Sequence, residues 1–236
     1  MRLNKYIAHA GVTSRRKADE LTLNGNVKVN GIAVREPGYD VKETDVVEVN
    51  GTRIQPASVK IYIMLNKPAG YITSMHDEKS RPVVTNLITD IEERLFPVGR
   101  LDYDTSGLLI LTNDGDLANK LAHPGHKTVK TYSAHVSGII SDERLARLRN
   151  GVDIGGFVTS KAEVNLIKQS GHSAVVEIKI HEGKNRQVRK MFSAVGNKVI
   201  SLERTAVGGL YLGRLKEGHY RKLNKKEIEY LLDKPE

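Results

Sequence analysis

Between Gly99 and Leu109 the chain reads GRLDYDTSGLL, two carboxylates and two hydroxyls before a glycine and an apolar run that continues to Leu111. Three readings compete for such a spacing. A calcium loop needs a bidentate acid at its twelfth position and a helix on each side. Counted from Asp102 that position is Asn113, and the downstream flank is β-type. A phosphotransferase loop of the D-x-D-x-T kind needs an apolar strand feeding into the first aspartate, whereas here FPVGR precedes it and the apolar run comes after. Two aspartates can also simply turn the chain before a strand. Arg100 argues for more than a turn, because two residues before Asp102 on an extended segment it puts a fixed cation beside the carboxylate.

Two further segments carry chemistry. In Glu182 to Phe192, EGKNRQVRKMF, the cations Lys184, Arg186, Arg189 and Lys190 crowd the first turns of an expected helix. Cations there oppose the helix dipole, and a local conflict of that kind is expected where function demands it. In KTYSAHV, Tyr132 opens an expected strand. A strand tyrosine usually packs in a core, but in a chain with 5% aromatics and no tryptophan a base-stacking platform has few rings to draw on. Other motifs are missing or weak. There is no phosphate-binding glycine loop for a nucleotide cofactor, and His123 and His126 read as ordinary loop histidines rather than metal ligands, with no cysteine or third ligand beside them.

These side chains need a scaffold. A chain of 236 residues, 39% hydrophobic, suffices for one large domain plus a small one. Thirty-seven Lys and Arg against 28 Asp and Glu leave a formal charge of +9, which points to a polyanionic partner. The absence of cysteine excludes disulfides and thiolate chemistry. With no signal-peptide core and no stretch near the roughly 20 apolar residues of a membrane span, a soluble cytoplasmic protein is expected.

The first 51 residues read as a module. Leu3, Ile7, Ala8 and Ala10 mark a helix that stops at Gly11, and Thr13 or Ser14 can cap a second, RRKADELTL, that ends at Asn24-Gly25. VKVNGIAV predicts a hairpin about Asn30-Gly31, and DVVEVNG a further strand. Arg2, Lys5, Arg15, Arg16 and Lys17 occur with no acid among residues 1–17, a one-signed face suited to RNA phosphates. Residues 52–60, TRIQPASVK, read as a linker. From 61 to 236 the spacing predicts strands at IYIML, LLILT, SAVVEIKI and KVISLER. Helices are predicted at DLANKLA, at DERLARLRN capped by Ser141, at NRQVRKMFSAV and at KKEIEYLL. Without a strict βαβ repeat, the fold class is α+β with a mixed sheet.

Taken together, GRLDYDTSGLLILTNDG, KTY and EGKNRQVRKMF, with MLNKPAGYITS before them, resemble in order the motifs of ribosomal RNA pseudouridine synthases of the RsuA and RluB type. The N-terminal module resembles the alpha-L RNA-binding domain of the ribosomal small-subunit protein four type. The resemblance implies the pseudouridine synthase fold, a mostly antiparallel sheet flanked by helices. It implies Asp102 as the catalytic aspartate, Tyr132 packed on the target base, Arg189 paired with Asp102, and Arg100 helping to displace the extruded base. Lys184 stands where many relatives have arginine, which keeps the charge and loses the planar fork. With Arg186, it completes the RNA contacts expected at this end of the chain. Asp104, Thr105, Ser106 and Gly107 would shape the turn. Aspartate, with an ordinary pKa of about 3.9, is ionised at neutral pH, and a neighbouring arginine would hold it so. It would act as covalent nucleophile or as base, without cofactor or metal. The expected partner is ribosomal RNA, of the large subunit as in the RluB kind or of the small subunit as in the RsuA kind, free or in a precursor particle, bound by a monomer. Two rivals remain: a non-catalytic assembly factor on the same scaffold, and a nucleosidase that would release free uracil.

Overall fold

The computed structural model describes residues 1–122 and 128–232, so His123 and His126 lie outside the described residues. The chain divides into two compact units. One is Met1–Ile61 with Asp90–Leu95 and Thr112–Gly115; the other is Tyr62–Thr89, Phe96–Leu111 and Asp116–Glu236.

The first unit contains α1 (Leu3–His9), α2 (Arg15–Leu23), β1 (Val27–Val29), β2 (Ile32–Ala33), β3 (Val47–Val49) and β4 (Thr52–Ile54). The Ser14 hydroxyl accepts the Lys17 amide at 3.3 Å and starts α2. Asn30 and Gly31, at φ 53° and 80°, turn β1 into β2. The strands pair in the order β2-β1-β3-β4, antiparallel throughout. Leu3, Ile7, Ala18, Val27 and Val47 are fully buried between helices and sheet. The expected linker is partly structured: its first residues form β4, because Asn50-Gly51, at φ 49° and 78°, makes a second hairpin of the same kind as the first.

The second unit is built on one nine-stranded sheet. Its strands are β5 (Tyr62–Lys67), β6 (Phe96–Val98), β7 (Ser106–Thr112), β8 (Lys130–Ser137), β9 (Glu163–Gln169), β10 (Ser173–Ile180), β11 (Val199–Val207), β12 (Leu210–Tyr211) and β13 (Tyr220–Lys222). Its helices are α3 (Gly115–Ala122), α4 (Asp142–Asn150), α5 (Gln187–Ala194) and α6 (Lys225–Leu232). The main path runs β13-β5-β7-β11-β8-β10-β9, with β6 on β7 and β12 on β11. The β7–β11 pair is parallel, while β11–β8, β8–β10, β10–β9 and β13–β5 are antiparallel, which gives the mixed sheet expected. Strand β10 alternates strictly between buried and half-buried residues, as a strand covered on one face should. Two cores form. In one, Leu145 and Leu148 of α4 and Val188, Met191 and Phe192 of α5 pack on β8, β10 and β11. In the other, Leu117 of α3 and Leu231 of α6 pack on Met64, Leu108 and Ile110.

Two of the positive-φ positions in this unit bear on the site. Gly107 lies opposite Arg204 in the parallel pair at φ +107°, and a Cβ there would sit 2.3 Å from the Arg204 carbonyl oxygen. Only glycine lets β7 and β11 approach so closely. Helix α5 begins at Gln187 rather than at Asn185 as expected, because Arg186 adopts the left-handed conformation, φ 52° and ψ 33°. Among the described residues, no helix is long and apolar enough to cross a membrane.

Candidate active site

The turn from Asp102 to Thr105 closes through the Thr105 amide, which donates to the Asp102 carbonyl at 3.1 Å. Distant residues fasten it. The Thr73 hydroxyl donates to the Leu101 carbonyl at 2.8 Å and accepts the Leu101 amide at 3.2 Å. The Gly70 amide donates to the Tyr103 carbonyl at 2.7 Å. Lys67, at the end of β5, is completely buried. Its ammonium donates to the carbonyls of Pro68 at 2.8 Å, Asp102 at 3.2 Å and Thr105 at 2.8 Å. Burial pulls its pKa down to about 8, against the opposing pull of Asp104 and Asp102. With its backbone pinned, Asp102 has a half-buried carboxylate that makes no hydrogen bond or ion pair among the described residues.

That carboxylate belongs to a cavity of about 310 Å³, small among ligand pockets. The cavity draws residues from both hydrophobic cores: Ile110 and Val207 on one side, Ile180, Val188 and Leu202 on the other. Its polar lining includes Arg100, Asp102, Tyr132, Lys184 and Arg186. Five of the residues singled out from the sequence therefore converge on one space, although they come from β7's approach, β8 and the entrance to α5. Arg100 and Lys184 are exposed, and the Lys184 ammonium lies 4.6 Å from the centre of the Phe157 ring.

Arg189 is placed differently from expectation. Its ion pair is with Asp104, not Asp102: Nε lies 3.3 Å from the Asp104 carboxylate, and Nη2 donates to the Asp104 carbonyl at 2.7 Å. Asp102 acts on it only as a lesser charge, behind Asp104 and Arg186. The reason is local. Asp104 already meets the start of α5, where Arg186 grips its carboxylate with two hydrogen bonds of 2.8 Å each. The Arg186 hydrogen bonds hold the Asp104 carboxyl below the usual range, and the same contact raises the guanidinium. The crowding of cations at this helix start, unfavourable for the dipole, is thus offset by a carboxylate from 82 residues away.

Sequence reasoning missed Lys67 and Arg204. Arg204 is 5% exposed, lines the same cavity, and donates through Nε to the Leu108 carbonyl at 2.8 Å. Both carry a signal: each puts a charge on a strand whose neighbouring buried positions are mostly apolar. In the N-terminal unit, Arg15, Arg16 and Lys17 are exposed and make no ion pair among the described residues, whereas Arg2 is tied to Gly38 and Asp40. Lys5 is half-buried on α1.

The chain is similar to known proteins over nearly its whole length. A family described as RNA pseudouridylate synthase matches residues 61–194, and the S4 domain matches residues 1–47. The chain is 46% identical over 232 residues to the ribosomal large subunit pseudouridine synthase B of Bacillus subtilis, covering 98% of this chain and 95% of that protein. It is 44% identical over 233 residues to an uncharacterized RNA pseudouridine synthase of Aquifex aeolicus, with 98% and 93% covered. A crystal structure of a pseudouridylate synthase superposes with a TM-score of 0.70 at 30% identity, over 98% of this chain and 99% of that one. With an S4 domain ahead of a cavity that gathers an aspartate, a tyrosine and arginines, the chain belongs to the RNA pseudouridylate synthase family of isomerases.

Proposed function

We propose that the protein converts one uridine of ribosomal RNA to pseudouridine, with Asp102 as the reacting carboxylate. The reaction breaks the bond between uracil N1 and C1′ of the ribose, turns the base while it stays bound, and joins C5 to C1′. C5 gives up a proton and N1 takes one, so there is neither redox change nor net hydrolysis, and no cofactor is called for. The observation that carries the reading is the cavity itself: Asp102 and Tyr132 share a space lined partly by aliphatic side chains and partly by cations such as Arg100, Lys184 and Arg204. The aliphatic part of the lining would help keep water from the detached base, and the cations would meet the RNA.

Extruding a uridine costs a few kcal/mol of stacking and pairing, and Tyr132 would offset part of it by packing on the base. Arg100 would take the place of the extruded base, and Lys184 would face the phosphates. Arg189 would contribute its charge from behind Asp104. The N-terminal unit would grip a nearby RNA segment through Arg15, Arg16 and Lys17, with Arg2 and Lys5 on the same stretch of chain. The resemblance to the Bacillus subtilis large-subunit enzyme makes large-subunit RNA the favoured substrate. The protein would act on it in the cytoplasm, as a monomer.

The test is tritium release from C5-labelled uridine in unmodified large- and small-subunit RNA, with wild type and Asp102→Asn. Wild type should release tritium from the large-subunit RNA and Asp102→Asn should release none. Equal release by the two folded proteins would refute the assignment of Asp102. Free uracil among the products would reveal a nucleosidase, and silence of wild type on both RNAs would favour a non-catalytic assembly factor.

A further inference from the structure

We infer that Asp104 and Arg186 form an internal clamp that positions the catalytic turn, and that Arg186 is therefore not a phosphate contact. Its place in a basic segment makes Arg186 an expected RNA-binding cation. The geometry commits it elsewhere. Both of its terminal nitrogens are used by the two oxygens of Asp104 at 2.8 Å, the parallel fork that gives a guanidinium its strongest and most directional pairing. Arg189 adds a third and a fourth contact to the same residue, one to the carboxylate and one to the backbone carbonyl. Asp104 is thereby held at side chain and main chain, one residue short of the end of the turn whose first residue is Asp102.

The backbone of Arg186 supports the same conclusion. Its left-handed φ of 52° is uncommon for a residue with a Cβ and costs free energy that the surroundings must supply. An exposed lysine or arginine that only meets phosphates has no need of such a backbone. Here the conformation delays the start of α5 to Gln187 and accompanies a guanidinium directed at the turn. Lys67 and Thr73 hold the turn from the β5 side, and the clamp holds it from the α5 side. Asp104 and Arg186 act through Asp102, and they are positioning residues.

The inference rests on Asp102 being the reacting group, and the experiment separates the two. Single-turnover rates at saturating enzyme, and Kd for unmodified ribosomal RNA across a salt series, are measured for wild type, Asp104→Asn, Arg186→Gln, Arg186→Lys, the double Asp104→Asn/Arg186→Gln, and Asp102→Asn. Each single change in the clamp should slow the reaction by roughly 10- to 100-fold, the effect of misplacing a reacting group by about an ångström. The double variant should be no slower than the slower single one, and Kd and its salt slope should stay at the wild-type values. Arg186→Lys is decisive, since it keeps the charge that a phosphate contact needs and loses the fork. A wild-type rate for Arg186→Lys would overturn the clamp. So would a salt slope lowered by about 0.7, the value for one phosphate of a single strand, in Arg186→Gln. Both side chains are 43% exposed, and a melting curve checks each variant; if Arg186→Gln fails to fold, Arg186→Lys and Asp104→Asn carry the same test. Full activity of Asp102→Asn would sink the functional reading itself, whereas an inactive Asp102→Asn beside clamp variants of wild-type rate would sink the clamp alone.

Discussion

Replacing Lys67 with methionine removes the support beneath the Asp102–Thr105 turn while keeping most of the side-chain volume. Three carbonyls lose their donor: Pro68, Asp102 and Thr105. Leaving a buried acceptor unpaired costs about 1–3 kcal/mol, so the three together cost about 5 kcal/mol. Against this, the buried ammonium is itself unfavourable. Its pKa falls from 10.5 to about 8, which at 1.36 kcal/mol per pH unit makes the charge about 3 kcal/mol less favourable in the folded state. The net expectation at pH 7 is a loss of about 2 kcal/mol. The pH dependence adds a second handle. With its folded-state pKa below the ordinary value, Lys67 releases its proton from the folded protein first. The unfolded chain then binds more protons between pH 8 and 10.5, and wild-type stability rises with pH in that window. At pH 9 this group contributes about 1.3 kcal/mol more to wild-type stability than at pH 7, a gain Lys67→Met lacks. The destabilisation of the variant should therefore grow from about 2 to about 3 kcal/mol between pH 7 and pH 9. Urea unfolding monitored by circular dichroism at the two values reads both numbers, and single-turnover assays should show a slower reaction. A variant as stable and as fast as wild type at both pH values would refute the account of the turn.

Gly107→Ala should lower stability by about 3 kcal/mol or more, because its Cβ would meet the Arg204 carbonyl and its φ of +107° is strained for any other residue; an unchanged urea midpoint would contradict the close strand approach. Tyr132→Ala should slow single-turnover pseudouridine formation by roughly 10- to 100-fold, the worth of one stacked base, while Tyr132→Phe keeps most of the rate. Equal losses in the two variants would point to the hydroxyl instead of the ring. Arg15→Ala combined with Arg16→Ala should reduce the slope of log affinity for RNA against log salt by about 1.4 to 1.8, as two released phosphate contacts require. A filter-binding series with an unaltered slope would remove the first turn of α2 from the RNA interface.

How much of the fold is legible in the sequence depends on how far apart cause and effect lie along the chain. Helices α2 and α4 can be bounded to the residue because Ser14 and Ser141 cap them and Asn24-Gly25 and Gly151 end them, all signals within a few positions of the element. The β1–β2 hairpin is equally local. The second Asn-Gly, at positions 50 and 51, carries the same signal, but Pro56 beyond it competes by suggesting a linker. Strand β9 is hidden: as the edge of the sheet it buries only Val164 among its seven residues, so it has no hydrophobic alternation to read.

The site divides along the same line. Asp102, Tyr132, Lys184 and Arg186 announce themselves by residue type and order, and the cavity gathers them. Their partners cannot be read, since a one-dimensional string does not say which carboxylate an arginine 82 residues away will meet. Arg189 goes to Asp104 rather than Asp102 for that reason. Yet the paired aspartates hold a clue of a different kind. Lys67, Arg186 and Arg189 each feel the charge of both carboxylates, but only Asp104 is in ion-pair contact, and a site that needs one carboxylate free for chemistry gains from a second that engages the nearby arginines. Asp102, with no ion pair among the described residues, and Asp104, with two, fit that division of labour. The spacing D-x-D, which by itself reads most simply as a turn before a strand, would on the proposed function separate the reacting group from its anchor.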